Sequence, residues 1–209
     1  MEQKILFVGA HPDDVEFGCG GTIAKHLENN DEVFVLVMTN GEKGHHPENG
    51  EECLNSLHIL GVKRENIIFG CFKDGYLNDS QETINFIETI INRLKIGKVY
   101  THDPNDRHQD HRYCSNAVSS AARKVAEILL FQGPSTNVSF EPHYFVRLKE
   151  EHIHKKKEIL NCYKSQFNKN PTLFLKWAEN VAVTNGLICN SDYAEGFSIN
   201  HIFKGDRDV

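Results

Sequence analysis

The sequence predicts an α/β fold, a Rossmann-like, doubly wound, mostly parallel sheet with helices on both faces. Three observations predict it. Short runs such as residues 5–8 and 33–38 are apolar at every position, as strands covered on both faces are. Segments with apolar residues at helical spacing separate these runs, so strand and helix alternate along the chain. The first strand, helix, strand passage takes about 30 residues, the length of one right-handed crossover.

Each element follows in order. Residues 5–8 form the first strand, which must stop at Pro12, because proline lacks an amide hydrogen and biases His11 away from the α region. Gly18, Gly20 and Gly21 read as a turn into a helix carrying Ile23, Ala24 and Leu27 on one face. This glycine-rich stretch is not a dinucleotide fingerprint, since His-Pro-Asp-Asp stands where the first glycine belongs and its charge repels phosphate. Residues 33–38 are the second strand and open into a polar segment through Gly50. Residues 51–60 predict a helix stopped by Gly61, and residues 67–69 a third strand. A loop through Asp74-Gly75 precedes a helix over residues 80–94 with Ile84, Ile87, Ile90, Ile91 and Leu94 inward. Residues 98–101 are the fourth strand. One helix is expected over residues 110–129, burying Ala117, Val118, Ala121, Ala122 and Val125. A strand at 144–148, a helix at 152–163, a short helix after Pro171 and a strand near 196–199 complete the chain.

With 209 residues, one domain over 1–209 is the economical reading. A net charge of -6 with 25% charged residues excludes a nucleic-acid surface, which needs a basic patch; the run Lys155-Lys156-Lys157 reads as a solvated helix face. His152 and His154 of the same charged helix read as surface residues. Six cysteines without a CxxC pair read as inert thiols in a reducing compartment. The apolar run near the start is too short for a signal peptide, and none approaches the roughly 18 residues of a membrane span. The expectation is a cytoplasmic protein with no membrane and no nucleic-acid partner; a homo-oligomer is left open.

Two segments carry chemistry. The first strand ends in His11-Pro12-Asp13-Asp14, and the fourth is followed by Arg107-His108-Gln109-Asp110-His111. In open parallel sheets ligands bind beyond the carboxyl ends of the strands, where both segments would stand. Together they offer His11, Asp14, His108 and His111 to a metal, with Asp13 and Asp110 as further carboxylates. A catalytic zinc site uses three protein ligands of this kind and keeps a position open for water. The bland alternative, a polar turn capping the first helix, needs only one acid.

Ala10-His11-Pro12-Asp13-Asp14-Val15-Glu16-Phe17-Gly18-Cys19-Gly20-Gly21, paired with the later His108-Gln109-Asp110-His111, resembles the LmbE-like or PIG-L family of zinc-dependent N-deacetylases. The likeness is strongest to bacterial enzymes that deacetylate N-acetylglucosamine conjugates, as in bacillithiol biosynthesis. It continues in Thr39-Asn40-Gly41-Glu42, Leu60-Gly61-Val62, Asp74-Gly75, Tyr163-Lys164-Ser165-Gln166-Phe167 and Tyr193-Ala194-Glu195-Gly196-Phe197.

The resemblance implies Zn2+ on His11, Asp14 and His111, with Fe2+ or Co2+ as substitutes. It implies Asp13 as general base, and a protonated His108, held by Asp110, facing the charge on the amide oxygen. Arg107, Asp74 and Tyr193 match positions near the substrate, a small amino-sugar molecule. His45 and His46 fall in the loop after Glu42, at the mouth of the pocket or in solvent. Relatives usually carry an Arg where register puts Asn49, which weakens the case for an acidic aglycone such as a malyl group. The implied reaction is removal of an N-acyl group, acetyl first. The rival readings are a catalytically silent sugar- or metal-binding protein of this fold, and an amidase on a non-sugar N-acyl substrate.

Overall fold

The computed structural model describes residues 3–41, 49–164 and 171–204, with the backbone alone at Asn49 and Pro171. Strand β1 (Lys4–Gly9) is followed by α1 (Asp14–Glu28), β2 (Glu32–Thr39), α2 (Asn49–Leu60), β3 (Ile67–Phe72), α3 (Gln81–Leu94) and β4 (Lys98–His102). Then come α4 (Gln109–Ala121), β5 (Glu127–Phe131), β6 (Tyr144–Leu148), α5 (Glu150–Leu160), α6 (Pro171–Ile188) and β7 (Tyr193–Ile202).

The strands lie in the order β3-β2-β1-β4-β5-β7-β6. The first five are parallel, and β7 runs antiparallel to both β5 and β6. Winding reverses between β1 and β4, so the crevice expected of such a sheet opens at Gly9 and His102. Alternate residues of β1 divide the core. Ile5 and Phe7 pack with residues of α1, α2, α5 and α6, while Leu6 and Val8 pack with those of α3 and α4. Both layers exclude water, which is why β1 is apolar throughout.

Three expectations about elements need correction. The glycines at 18, 20 and 21 lie inside α1, which begins at Asp14, and do not form a turn before it. Their role is close approach: a Cβ on Gly18 would meet the Phe131 ring at 2.4 Å, and one on Gly21 would meet Leu148 at 2.5 Å. The expected helix over 110–129 is two elements, α4 and the strand β5. Ile128 to Phe131 is a short run buried on every side, and such a run carries no periodicity to tell strand from helix. Finally, α6 has 18 residues and β7 has 10, both longer than the sequence suggested.

The stretch around Glu195 joins layers. Its buried carboxylate accepts the N–H groups of Gly21 (3.0 Å) and Thr22 (2.6 Å) and the Lys156 ammonium (2.6 Å), tying β7 to α1 and α5. Among the described residues no helix is long and apolar enough to cross a membrane. All six cysteines are free thiols, with Cys19, Cys53 and Cys114 buried.

Candidate metal centre

The chain beyond β1 turns sharply to reach α1. Asp13 takes φ 99° and ψ -30°, a region that side-chain-bearing residues rarely adopt and that stores of order 1–3 kcal/mol. It occupies the N-cap of α1, yet its side chain makes no cap hydrogen bond. The bland reading of this acid as a helix cap therefore fails, and its carboxylate is left for other work. Asp14 opens α1, and its Oδ2 accepts the His11 N–H at 2.7 Å, which turns the carboxylate back over the strand end. Across the reversal point, β4 ends at His102, and α4 begins after the N-cap His108, whose Nδ1 accepts the Asp110 N–H at 3.2 Å. His111 then lies in the first turn of α4.

Three donors converge. His11 Nδ1 lies 3.4 Å from Asp14 Oδ2 and 3.3 Å from His111 Nε2, and His111 Nε2 lies 3.2 Å from Asp14 Oδ1. Ligand bonds of 2.0–2.1 Å in a tetrahedron put donor atoms about 3.3 Å apart, so this spacing fits a small divalent ion. The far side of each imidazole is held by acid. His11 Nε2 faces Asp110 Oδ2 at 3.2 Å and Asp74 Oδ1 at 3.3 Å. His111 Nδ1 faces Asp106 Oδ1 at 3.2 Å and Ser135 Oγ at 3.0 Å. A carboxylate behind a ligating imidazole fixes its tautomer and raises its basicity. Asp106 is itself fully engaged, accepting from the His108 N–H (2.8 Å), Ser135 Oγ–H (2.8 Å) and Thr136 Oγ1–H (3.0 Å). Asp110 Oδ2 also accepts the Gly75 N–H at 2.6 Å, while its Oδ1 is buried with no hydrogen-bond partner among the described residues.

The two adjoining acids are driven apart. Burial pushes the Asp13 carboxyl well above the ordinary carboxylate range, and the neighbouring Asp14 charge adds to it. Burial acts on Asp14 in the same direction, but the charge of His111 beside it holds its carboxyl well below that range. For His11, burial opposes the charged form, yet hydrogen bonds with Asp110, Asp14 and Asp74 carry its pKa up to about 12. His111 is likewise raised to about 9, against burial, chiefly by the Asp14 charge. Imidazoles so hungry for positive charge, among five carboxylates (Asp13, Asp14, Asp74, Asp106, Asp110), mark a place suited to a cation.

His11, Asp13, Asp14, His108, Asp110 and His111 are thus brought together, and Asp74 joins them. Asp74 and Asp110 meet the back of His11, and no hydrogen bond joins the Asp110 carboxylate to the His108 ring among the described residues. The expected protonated His108 also needs correction. Its Nδ1 accepts a backbone amide, and burial, with His111 and His11 beside it, lowers its pKa, so the ring is neutral with its proton on Nε2. Arg107 is spent on the chain itself, giving Nε to Ser135 O at 3.0 Å and Nη2 to Pro134 O at 3.1 Å. That strap carries Ser135 to His111. Tyr193 stands opposite Leu148 on β6 and packs against Leu148, Ile153 and Ala182. His45, His46 and the side chain of Asn49 lie outside the described residues. His154 is exposed as expected, but His152 is buried, with Nδ1 accepting the Lys149 N–H at 3.0 Å.

Sequence reasoning missed Asp106, Ser135 and His102. His102 is buried, and its Nε2 accepts the Ala10 N–H at 3.0 Å and lies 3.2 Å from Asp14 Oδ2. Burial, and then the charge of His111, hold its pKa down to about 4. Its place at the carboxyl end of β4, beside β1, was the available signal.

Comparison with known proteins places the chain in one family. The PIG-L family model, described as GlcNAc-PI de-N-acetylase, matches residues 6–122, from β1 to the end of α4. That stretch holds His11, Asp13, Asp14, His108, Asp110 and His111. An uncharacterized deacetylase of Escherichia coli K12, YaiS, is 37% identical over 172 residues, covering 77% of this chain and 90% of its own. A diacetylchitobiose deacetylase of Thermococcus kodakarensis is 28% identical over 223 residues, covering 93% of this chain and 82% of its own. Among solved structures, a conserved protein of Thermus thermophilus superposes with a TM-score of 0.85 at 25% identity, over 98% of each chain.

Proposed function

The chain belongs to the PIG-L family of GlcNAc-PI de-N-acetylases, and from that premise we propose a metal-dependent, zinc-using N-deacetylase of amino sugars or N-acetylglucosamine conjugates. The observation that carries the metal is the meeting of His11 Nδ1, the Asp14 carboxylate and His111 Nε2, with each imidazole backed by a carboxylate. Two nitrogens and one carboxylate form a mixed donor set of the kind found in catalytic zinc sites, and Fe2+ or Co2+ fits it as well. When bound, the ion supplies Lewis acidity to the reacting groups.

The protein's own residues do the rest. Asp13, whose carboxyl is pushed up while Asp14 is held down, takes the proton of the attacking water and returns it to the departing amine. Neutral His108 offers its Nε2–H to the acyl oxygen as charge builds there, a contribution of about 3–4 kcal/mol for one such donor in known enzymes. Asp110 is then a positioning group for His11, and Asp106 for His111. Residues 1–209 form one catalytic domain in this reading, acting on a small molecule in a reducing cytoplasm.

Acetate release tests it. N-acetylglucosamine, diacetylchitobiose and an N-acetyl amide without a sugar are offered to the zinc-loaded protein and to the same protein stripped by chelator. The reading expects release from a sugar substrate, lost on stripping and restored by zinc. Release from the non-sugar amide alone moves the substrate class, and release unaffected by stripping contradicts the metal.

A further inference from the structure

His102 touches three parts of the centre, although it belongs to none of the roles above. We propose that His102 is a positioning residue of the metal centre: a neutral ring that fixes the end of β1 and the plane of His111 without being a ligand. The inference rests on the reading of His11, Asp14 and His111 as the ligands.

A backbone amide can only donate. The Ala10 N–H at 3.0 Å therefore requires a lone pair on His102 Nε2, and in the neutral ring the proton sits on Nδ1. That lone pair is occupied, so it is not open to a metal, even though Asp14, His102 and His111 together have the spacing of a ligand group. The same logic settles the contact with Asp14. An unprotonated nitrogen 3.2 Å from Oδ2 gives no hydrogen bond, and Oδ2 is served by the His11 N–H at 2.7 Å. Asp14 Oδ1 remains directed at His111 Nε2.

The ring face has a second task. His102 lies almost parallel to His111, with centroids 4.0 Å apart and planes at 17°, while Phe131 closes on it at 4.6 Å and 57°. Asp106 and Ser135 fix where His111 Nδ1 points, but a hydrogen bond at one nitrogen leaves rotation about that axis. The stacked ring removes it. Neighbouring bonds extend the frame: Thr101 Oγ1–H reaches Val8 O at 3.2 Å, and Ser115 Oγ–H reaches His102 O at 2.7 Å. Through His102, then, β1 with His11 and α4 with His111 are referred to one rigid strand end. Functional groups need placement within about 0.5 Å, which is what such a support provides.

Two substitutions separate the two tasks. His102→Phe keeps a flat ring against His111 and Phe131 but leaves the Ala10 amide without an acceptor. His102→Gln keeps an acceptor near Nε2 and loses the ring. Zinc affinity is read by competition with a chromophoric chelator, coordination by the visible absorption of the cobalt(II)-loaded protein, and the tautomer by histidine 1H–15N correlation on the metal-free protein.

The expected result is an Nδ1–H signal in the metal-free wild type that both variants lose. Zinc affinity should fall about 10- to 100-fold in each, and the cobalt(II) spectrum should keep its wild-type coordination number. Wild-type affinity in a folded variant of either kind overturns the proposal, leaving His102 as core packing. A changed coordination number, or a proton on Nε2, overturns it in favour of a ligand or a donor to Asp14. Should His102→Phe not fold, His102→Gln decides alone. A wild type that binds no zinc instead removes the metal reading itself.

Discussion

His11 Nδ1 and His111 Nε2 stand 3.3 Å apart although 100 residues separate them in the chain. Two basic nitrogens facing each other across that gap, with Asp14 against both, are a poor arrangement unless positive charge lies among them. The folded chain should therefore be stabilised by the ion it holds. Zinc at a hundredfold excess over its dissociation constant should add about 2.7 kcal/mol to unfolding. Calorimetry of stripped and reloaded protein checks this, and an unmoved Tm would argue against a site formed in the folded state.

Replacing Asp106 by Asn keeps shape but removes the charge behind His111. Zinc affinity should drop about 10- to 100-fold, the usual effect of losing such a partner. Ser135→Ala, which removes the neutral partner, should cost less. Competition titration ranks the two, and a larger loss in Ser135→Ala would mean that the hydroxyl, not the acid, orients His111.

Much of this was legible in the sequence. Apolar runs and helical spacing marked β1, β2, α3 and β4, because those elements are buried in a pattern that composition records. His11, Asp14 and His111 were legible because they interrupt apolar structure at strand and helix ends. Other features were not. The run 128–131 has no polar face, so it carried no period, and α1 swallowed its glycines because the partners that need the space, Phe131 and Leu148, are remote in sequence. Asp106, Ser135 and His102 acquire meaning only from neighbours the fold supplies. Arg107 and Asp74 had their positions near the site foreshadowed, but their partners were visible only in three dimensions.

Close packing of α1 gives a stability test. Gly18→Ala would put a methyl 2.4 Å from a Phe131 ring that is itself fully buried. Helix propensity favours alanine, but the ring cannot yield, and overpacking of this kind costs about 1–3 kcal/mol. Urea unfolding should show the loss; a stabilised variant would mean that α1 can shift.

A pH dependence follows from Glu16, buried in α1 with Oε1 accepting from Tyr163 and Ser56. Burial raises its pKa from 4.5 to about 6, against those hydrogen bonds. A raised folded pKa means that the native state holds the proton more tightly than the unfolded one. The stabilisation is complete below pH 4.5 and lost as pH rises through about 6, some 2 kcal/mol in total, at roughly 1.4 kcal/mol for each tenfold difference in proton affinity between the two states. Glu16→Gln has no proton to lose, so its stability relative to the wild type should rise across that interval. A constant difference between the two from pH 4 to 7 would contradict the buried, raised carboxyl.

The most direct test separates the adjacent acids by titrating zinc into Asp13→Asn and Asp14→Ala alongside a measurement of kcat. Asp13→Asn should hold zinc as the wild type does while kcat falls about 10²- to 10⁴-fold, the range for a lost general base. Asp14→Ala should lose zinc affinity and activity together, since it removes one of three donors. Weakened zinc binding in Asp13→Asn, or wild-type binding in Asp14→Ala, would contradict the assignment of ligand and base on which the account rests.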